Sequence, residues 1–215
     1  MDRCPRRRGL LLALLIVGLV PLAGCSAIAT AMYVVKGTNV PAEYDGLRNK
    51  RVAVVCRPSA NLTYGNTQAA KLIAKEVNSL LRQNVRKIKL VDQREVEEWI
   101  DSHGLDEYDE LGRALDVDMI LAIELEHFSL YQGQTIYQGK ITTTFTVYDM
   151  RQDGEVVYER AGRESMWPPN AVVSTSEKSE IEFRRDCVRE FSREIARHFY
   201  AHDSHVDIAR DSRAF

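Results

Sequence analysis

The chain reads as an α/β protein with an α+β tendency. One mixed β-sheet is expected, with helices packed on it, in the order β-α-β-α-(α)-β-β-β-α. Three observations carry that expectation. RVAVVCR, residues 51–57, is a near-continuous apolar run with β-branched residues, the pattern of a strand buried on both faces. Amphipathic segments at helical spacing alternate with it. Two later segments divide their residues between two faces at period two, 138–150 alternating apolar with polar, and Asp153-Gly154 leads into a third, as in an antiparallel hairpin.

The elements follow in order. After 51–57, residues 67–83 place Ala69, Ala70, Leu72, Ile73, Val77, Leu80 and Leu81 at helical spacing. KIKLVD, 87–92, predicts a second strand. Asp92 is placed to N-cap a helix over 93–103, where Val96 and Ile100 are four apart and Gly104 supplies the stop. A short helix follows over 108–116. The third strand, 117–130, puts Met119, Leu121, Ile123 and Leu125 on one face. Ile120, Ala122, Glu124, Glu126 and Phe128 fall on the other. Residues 138–150 alternate Ile141, Thr143, Phe145 and Val147 against Lys140, Thr142, Thr144 and Thr146, and a further strand covers 155–166. The last helix, 177–201, carries a stripe of Cys187, Phe191, Ile195 and Phe199. That stripe is expected to lie on the Met119–Leu121–Ile123–Leu125 face. Crossover connections suit the first strands and antiparallel pairing the last.

The polar residues offer few arrangements that carry chemistry. Glu124 and Glu126 share a strand face with His127 pointing away, which cross-strand pairing with Lys140 and the threonines explains without catalysis. His198, His202 and His205 are the metal candidates, His198 and His202 one helical turn apart. Helix-dipole stabilisation of a C-terminus explains the same histidines without a metal. Trp167, Pro168 and Pro169 mark a candidate partner loop, or simply the crossover into the last helix. Ser59 and Ser174 lack the glycines of a nucleophile elbow, and neither GxxxxGK[ST] nor CxxC occurs. No catalytic residue is assigned and no cofactor is expected.

The beginning of the chain is more specific. Four arginines and one aspartate in MDRCPRRRG precede an uncharged apolar run at 10–24 that Pro21 interrupts. A basic region followed by an apolar one is the pattern of a secretory signal. The run is shorter than the roughly 20 residues of a spanning helix. Leu22-Ala23-Gly24-Cys25 then resembles the lipobox of bacterial lipoproteins. That resemblance implies cleavage after Gly24, a diacylglyceryl group on the Cys25 thiol, and a further acyl chain such as palmitate on the new amine. Several acyl chains hold a protein stably at a membrane. Ser26 follows, where the best-known sorting systems use aspartate for inner-membrane retention, so the outer membrane facing the periplasm is implied.

The expected division is a signal peptide at 1–24, a lipidated tether at 25–46, an α/β domain at 47–201 and a polar tail at 202–215. The whole chain has 29 Lys+Arg against 31 Asp+Glu. Without the leader the balance is 25 against 30, so no basic field attracts nucleic acid. Cys56 and Cys187 remain for the domain. They could pair in an oxidising compartment or stay free as small apolar groups.

Across residues 51–126 the pattern resembles the periplasmic domain of curli-secretion lipoproteins and the N-terminal domain of the Tol-system translocation protein. RVAVVCRPS, AAKLIAKEVNSLLRQ, KLVDQREVEEWI and ELGRALDVDMILAIEL carry the resemblance. Ala122 stands where those families often have glycine, and the membrane hairpins of the curli channel have no counterpart. The resemblance therefore implies the domain and the anchor, not a pore. The function expected is that of a non-enzymatic cell-envelope lipoprotein. It would bind protein partners, or its own copies, in envelope assembly, secretion or maintenance. The alternative is a lipoprotein that binds a metal or small ligand.

Overall fold

In the computed structural model, residues 39–59, 65–105 and 107–203 are described; Gly24, Cys25, Ser26 and His205 lie outside them. The folded unit begins at Val40. The strands of its main sheet are β1 (Arg51–Pro58), β2 (Lys89–Leu90), β3 (Met119–Tyr131), β4 (Ile136–Asp149), β5 (Glu155–Trp167) and β6 (Val173–Ser174), and Asn39–Val40 pairs separately with His202–Asp203. Its helices are α1 (Gly65–Asn84), α2 (Gln93–His103), α3 (Tyr108–Ala114) and α4 (Glu180–Arg197). The six strands form one mixed sheet in the order β2-β1-β3-β4-β5, with β6 paired to the far end of β4.

The apolar run at β1 occupies the middle of the parallel part. It pairs in parallel with β2 and with β3, Val52 opposite Met119 and Cys56 opposite Ile123. Because side chains alternate along a strand, Val52 and Val54 enter one core while Ala53 and Val55 enter another. α1 and α4 cover the first face. Ala69, Ile73, Val77 and Leu81 of α1 and Phe183, Cys187, Phe191 and Ile195 of α4 meet Met119, Leu121, Ile123 and Leu125 there. α2 and α3 cover the second face with Val96 and Leu111. The expected α/β architecture and the expected seat of the last helix are both present.

Local chemistry sets the boundaries. The Asp92 carboxylate accepts from Arg94 N at the start of α2, and Gly104, at φ 78°, donates its N–H to Ile100 O at the end. Ser179 and Glu182 form a reciprocal capping box that starts α4. α4 packs against Gly139 of β4, where an added Cβ would meet Cys187 Sγ and Phe191 Cζ. Cys56 and Cys187 are both free.

Several expectations shift. Strand 87–92 shortens to Lys89–Leu90, and the last helix contracts from 177–201 to Glu180–Arg197. Phe199 remains buried in the same core beyond the helix end. The folded unit starts earlier than Leu47, because Tyr44 stacks on Tyr158 with ring centroids 5.2 Å apart and donates its backbone N–H to His198 O at 3.0 Å. Strict alternation fails in β3. The register with β4 jumps between Leu125 and His127, leaving Glu126 as the extra residue of a bulge. Phe128 therefore joins Leu125 in the first core instead of facing away. His127 pairs with Thr142 and shares the polar face of Glu124 and Thr144, contrary to the expected facing.

Candidate functional site

A cleft of about 450 Å³ opens between the end of β5, the second half of α4 and the entering chain at Val40 and Pro41. Antiparallel pairing with β4 carries β5 past α4, and the capping box fixes where α4 begins. As a result Arg163 of β5 bonds Glu194 of α4, Nη2 to Oε1 at 3.1 Å. Phe191 lies at the base of the cleft, 2% exposed, beside Trp167 and Met166.

The rear of the cleft is organised by Glu43. Its Oε2 lies 3.0 Å from His198 Nδ1, accepts from Tyr158 Oη at 3.0 Å, and stands 3.7 Å from Arg160 Nη1. The His198 contact is a close approach without the alignment of a hydrogen bond, and it becomes an ion pair only when the imidazole is protonated. Burial pushes the His198 imidazole below its ordinary value of 6.5, and Glu43 opposes that shift without cancelling it. Partial burial works against ionisation of Glu43, but His198, Tyr158 and Arg160 together hold its carboxyl below the usual 4.5. Burial and then the Glu43 hydrogen bond push the Tyr158 phenol up to about 12. These groups clamp the entering chain to the end of α4 and to β5.

The candidates drawn from the sequence fall in different places. His198 and His202 both line the cleft, but His198 is buried against Phe145, centroids 4.9 Å apart, with Nδ1 turned to Glu43. His202 Nδ1 lies 3.4 Å from Tyr200 O. Among the described residues no three His, Cys, Asp or Glu side chains form a metal-binding group. Trp167 packs on Phe183 at 5.4 Å, Pro168 is buried, and Pro169 borders the cleft. The loop is tied down where Gln138 Nε2 donates to Pro168 O and Ala171 O, each at 3.4 Å. On the opposite sheet face Thr144 Oγ1 donates to Glu126 Oε1 at 2.5 Å and accepts from Gly162 N at 3.0 Å. The cross-strand polar pairing expected there is present.

Sequence reasoning missed Glu43, Tyr158, Arg163 and Glu194. Glu43 and Tyr158 are 115 positions apart, and no local pattern connects them. The one available signal was Glu43 and Tyr44 breaking the small-residue composition of the tether.

Comparison with known proteins finds similarity among solved structures. No family model matches the chain, and no curated protein matches it. The chain is similar to the PelC dodecamer from Paraburkholderia phytofirmans at 13% identity and a TM-score of 0.39, covering 71% of this chain and 91% of that one. It is similar to lipoprotein GNA1162 from Neisseria meningitidis at 13% identity and a TM-score of 0.42, covering 68% and 97%. The LpoB C-terminal domain from Salmonella enterica matches at 12% identity and a TM-score of 0.35, covering 64% and 90%.

Proposed function

We propose that the protein is a bacterial cell-envelope lipoprotein, held by lipid on Cys25 at the outer membrane and facing the periplasm. Its α/β domain binds protein partners in envelope assembly, secretion or maintenance, without catalysing a reaction. The observation that carries this reading is the leader: a basic start, an apolar run and Leu22-Ala23-Gly24-Cys25 in immediate succession. A thiol there serves as an attachment point, and acyl chains contribute about 0.8 kcal/mol per buried CH2 to membrane binding. The folded unit adds a cleft bordered by charged side chains with an apolar base, the kind of surface that suits recognition.

The test is Cys25→Ser in cells given a fatty-acid probe. The parent should carry the label and fractionate with the outer membrane. The variant should lose the label and move to the soluble fraction or remain as uncleaved precursor. Labelling of Cys25→Ser at the parent's level overturns the anchor.

A further inference from the structure

We propose that Lys50, Arg82, Arg86, Lys87 and Lys89 form a face that rests on anionic phospholipid headgroups, docking the domain on the bilayer that holds Cys25. This rests on the anchoring half of the reading above and adds the side on which the domain lies.

The signal begins in the sequence. Residues 46–91 hold ten cations and one acid, Glu76, in a chain whose acids outnumber its cations overall. The fold gathers part of that excess at one corner. α1 ends at Asn84 with Arg82 in its last turn, and Val85, 5% exposed, pins the chain that follows. Lys87 reverses it at φ 57°, so that Lys89 donates its backbone N–H to Lys50 O at 2.9 Å and registers against Arg51. Arg82, Arg86, Lys87 and Lys89 are exposed and Lys50 is half-buried. The helix dipole accounts for Arg82. Lysine on an edge strand discourages unwanted pairing, which accounts for Lys89. Neither accounts for Lys50, Arg86 or Lys87. Lys87 also holds a left-handed conformation that favours glycine or asparagine, so a lysine stands there against the preference of the backbone.

The acids nearby are already engaged. Asp45 pairs with Arg48 at 3.5 Å, and Asp92 accepts from Arg94 N at 2.9 Å. Asp118 accepts from Arg51 N at 2.8 Å and from Arg151 Nε at 2.7 Å. Arg113 and Asp116, at the end of α3, offset each other in charge. Arg82 Nη2 reaches the neutral Asn78 Oδ1 at 3.4 Å, and none of the five cations has an ion-pair partner among the described residues. Residues 1–38 hold five cations and one acid, 60–64 no charge, and 204–215 two cations and two acids; Asp106 stands alone besides. No such segment brings a surplus of acidic side chains large enough to offset five cations, so the corner stays cationic wherever they lie.

Shape and reach identify the occupant. The cleft beside the corner, lined by Lys75, Asn78, Ser79, Arg82, Asp92 and Gln93, takes in Arg82 alone of the five. Cations spread over a helix end, a turn and a strand edge meet a broad anionic surface rather than enclose a small anion. Lysine ammonium groups on flexible stems also follow mobile headgroups. The bilayer is the anionic surface within reach. Residues 26–39 separate Cys25 from Val40, and fourteen residues extend to about 46–50 Å. Val40 borders the β5 side, and β2 lies four strand spacings away, about 19 Å. Docking by the β2 corner leaves the α4–β5 side, at the opposite edge, to protein partners.

The experiment reconstitutes the full-length lipidated protein into vesicles of phosphatidylcholine, with or without about one third phosphatidylglycerol. Lysines are acetylated from the water side and each rate is read by peptide mass spectrometry. Lys87 and Lys89 should react about fivefold more slowly on the anionic vesicles, and high salt should erase the difference. Lys140, which registers with Met166 at the far end of the sheet, should not change. Losing one cation weakens docking about fivefold, so Lys87→Asn should keep or raise Tm while reducing the protection of Lys89 to about twofold. Equal rates on both vesicles, with acyl chains present on Cys25, overturn the docking face and leave the anchor standing. Cys25 without acyl chains overturns the anchor, and the docked orientation falls with it. Equal slowing by inorganic phosphate in detergent marks a small-anion site and overturns the surface. In cells, a photoreactive residue at exposed Gln83 should trap phospholipid; trapping a protein there instead overturns the proposal.

Discussion

Gly139 is the position where the packing of α4 on the sheet can be tested most directly. A Cβ at this residue would lie 2.5 Å from Cys187 Sγ, 3.2 Å from Phe191 Cζ and 3.3 Å from Trp167 O. Optimal separations between such atoms are about 3.5–4.0 Å, so the sulfur must retreat by roughly an ångström or the helix must lift. Phe191 and the β5 backbone close the other directions. Overpacking of this kind costs about 1–3 kcal/mol. The lower unfolded-state entropy of alanine offsets about 0.4–1 kcal/mol of that. A net loss of about 1–2 kcal/mol remains, or a fall in Tm of about 2–8 °C for a chain of this size. Cys187→Ala removes the closest atom, so the double variant should be more stable than the sum of the single changes implies, by about 1 kcal/mol. Urea unfolding of the four proteins, followed by circular dichroism, gives the cycle. If Gly139→Ala is as stable as the parent, or costs the same with and without the Cys187 sulfur, α4 does not pack as described.

Two further outcomes are expected. Stability should fall on acidification. The depressed His198 pKa makes the unfolded chain the better proton acceptor, so its contribution is complete above about pH 6.5 and is lost as the pH drops through that value; Glu43 adds a second loss below about pH 4.5. Denaturation curves between about pH 8 and 2 measure both, His198→Asn should flatten the upper step, and greater stability at pH 5 than at pH 7 contradicts the assignment. The free thiols of Cys56 and Cys187, both pushed upward by burial, should react slowly with a maleimide in the native protein and rapidly in denaturant. Fast native labelling of Cys187 places it at the surface.

What the sequence made legible follows from the range of each interaction. β1 announces itself because a strand between two helical layers must be apolar on both sides. α2 does so because Asp92 and Gly104 act within one helical turn of its ends. The stripe on α4 was enough to find its sheet face, since a helix with Cys187, Phe191 and Ile195 in line has few apolar surfaces to meet. The clamp was not legible. Glu43, Tyr158, Arg160 and His198 come from three separate parts of the chain; the first three each look like an ordinary surface residue, and His198 stood out only as a metal candidate. The facing of Phe128 was misread for another reason: periodicity assumes an unbroken ladder, and one extra residue in β3 reverses its phase.

That extra residue sets the tolerance of β3 to changes in length. With Glu126 removed, Leu125, His127 and Phe128 would alternate as in a regular strand, and both apolar side chains would still face α4. Removing Glu124 instead would turn Leu125 outward and bring Glu126 toward the core. Across β3, single-residue gaps and insertions in descendants of this chain should therefore collect at Glu126 and His127. The stretch from Met119 to Leu125, registered residue by residue against β1, should keep its length unchanged.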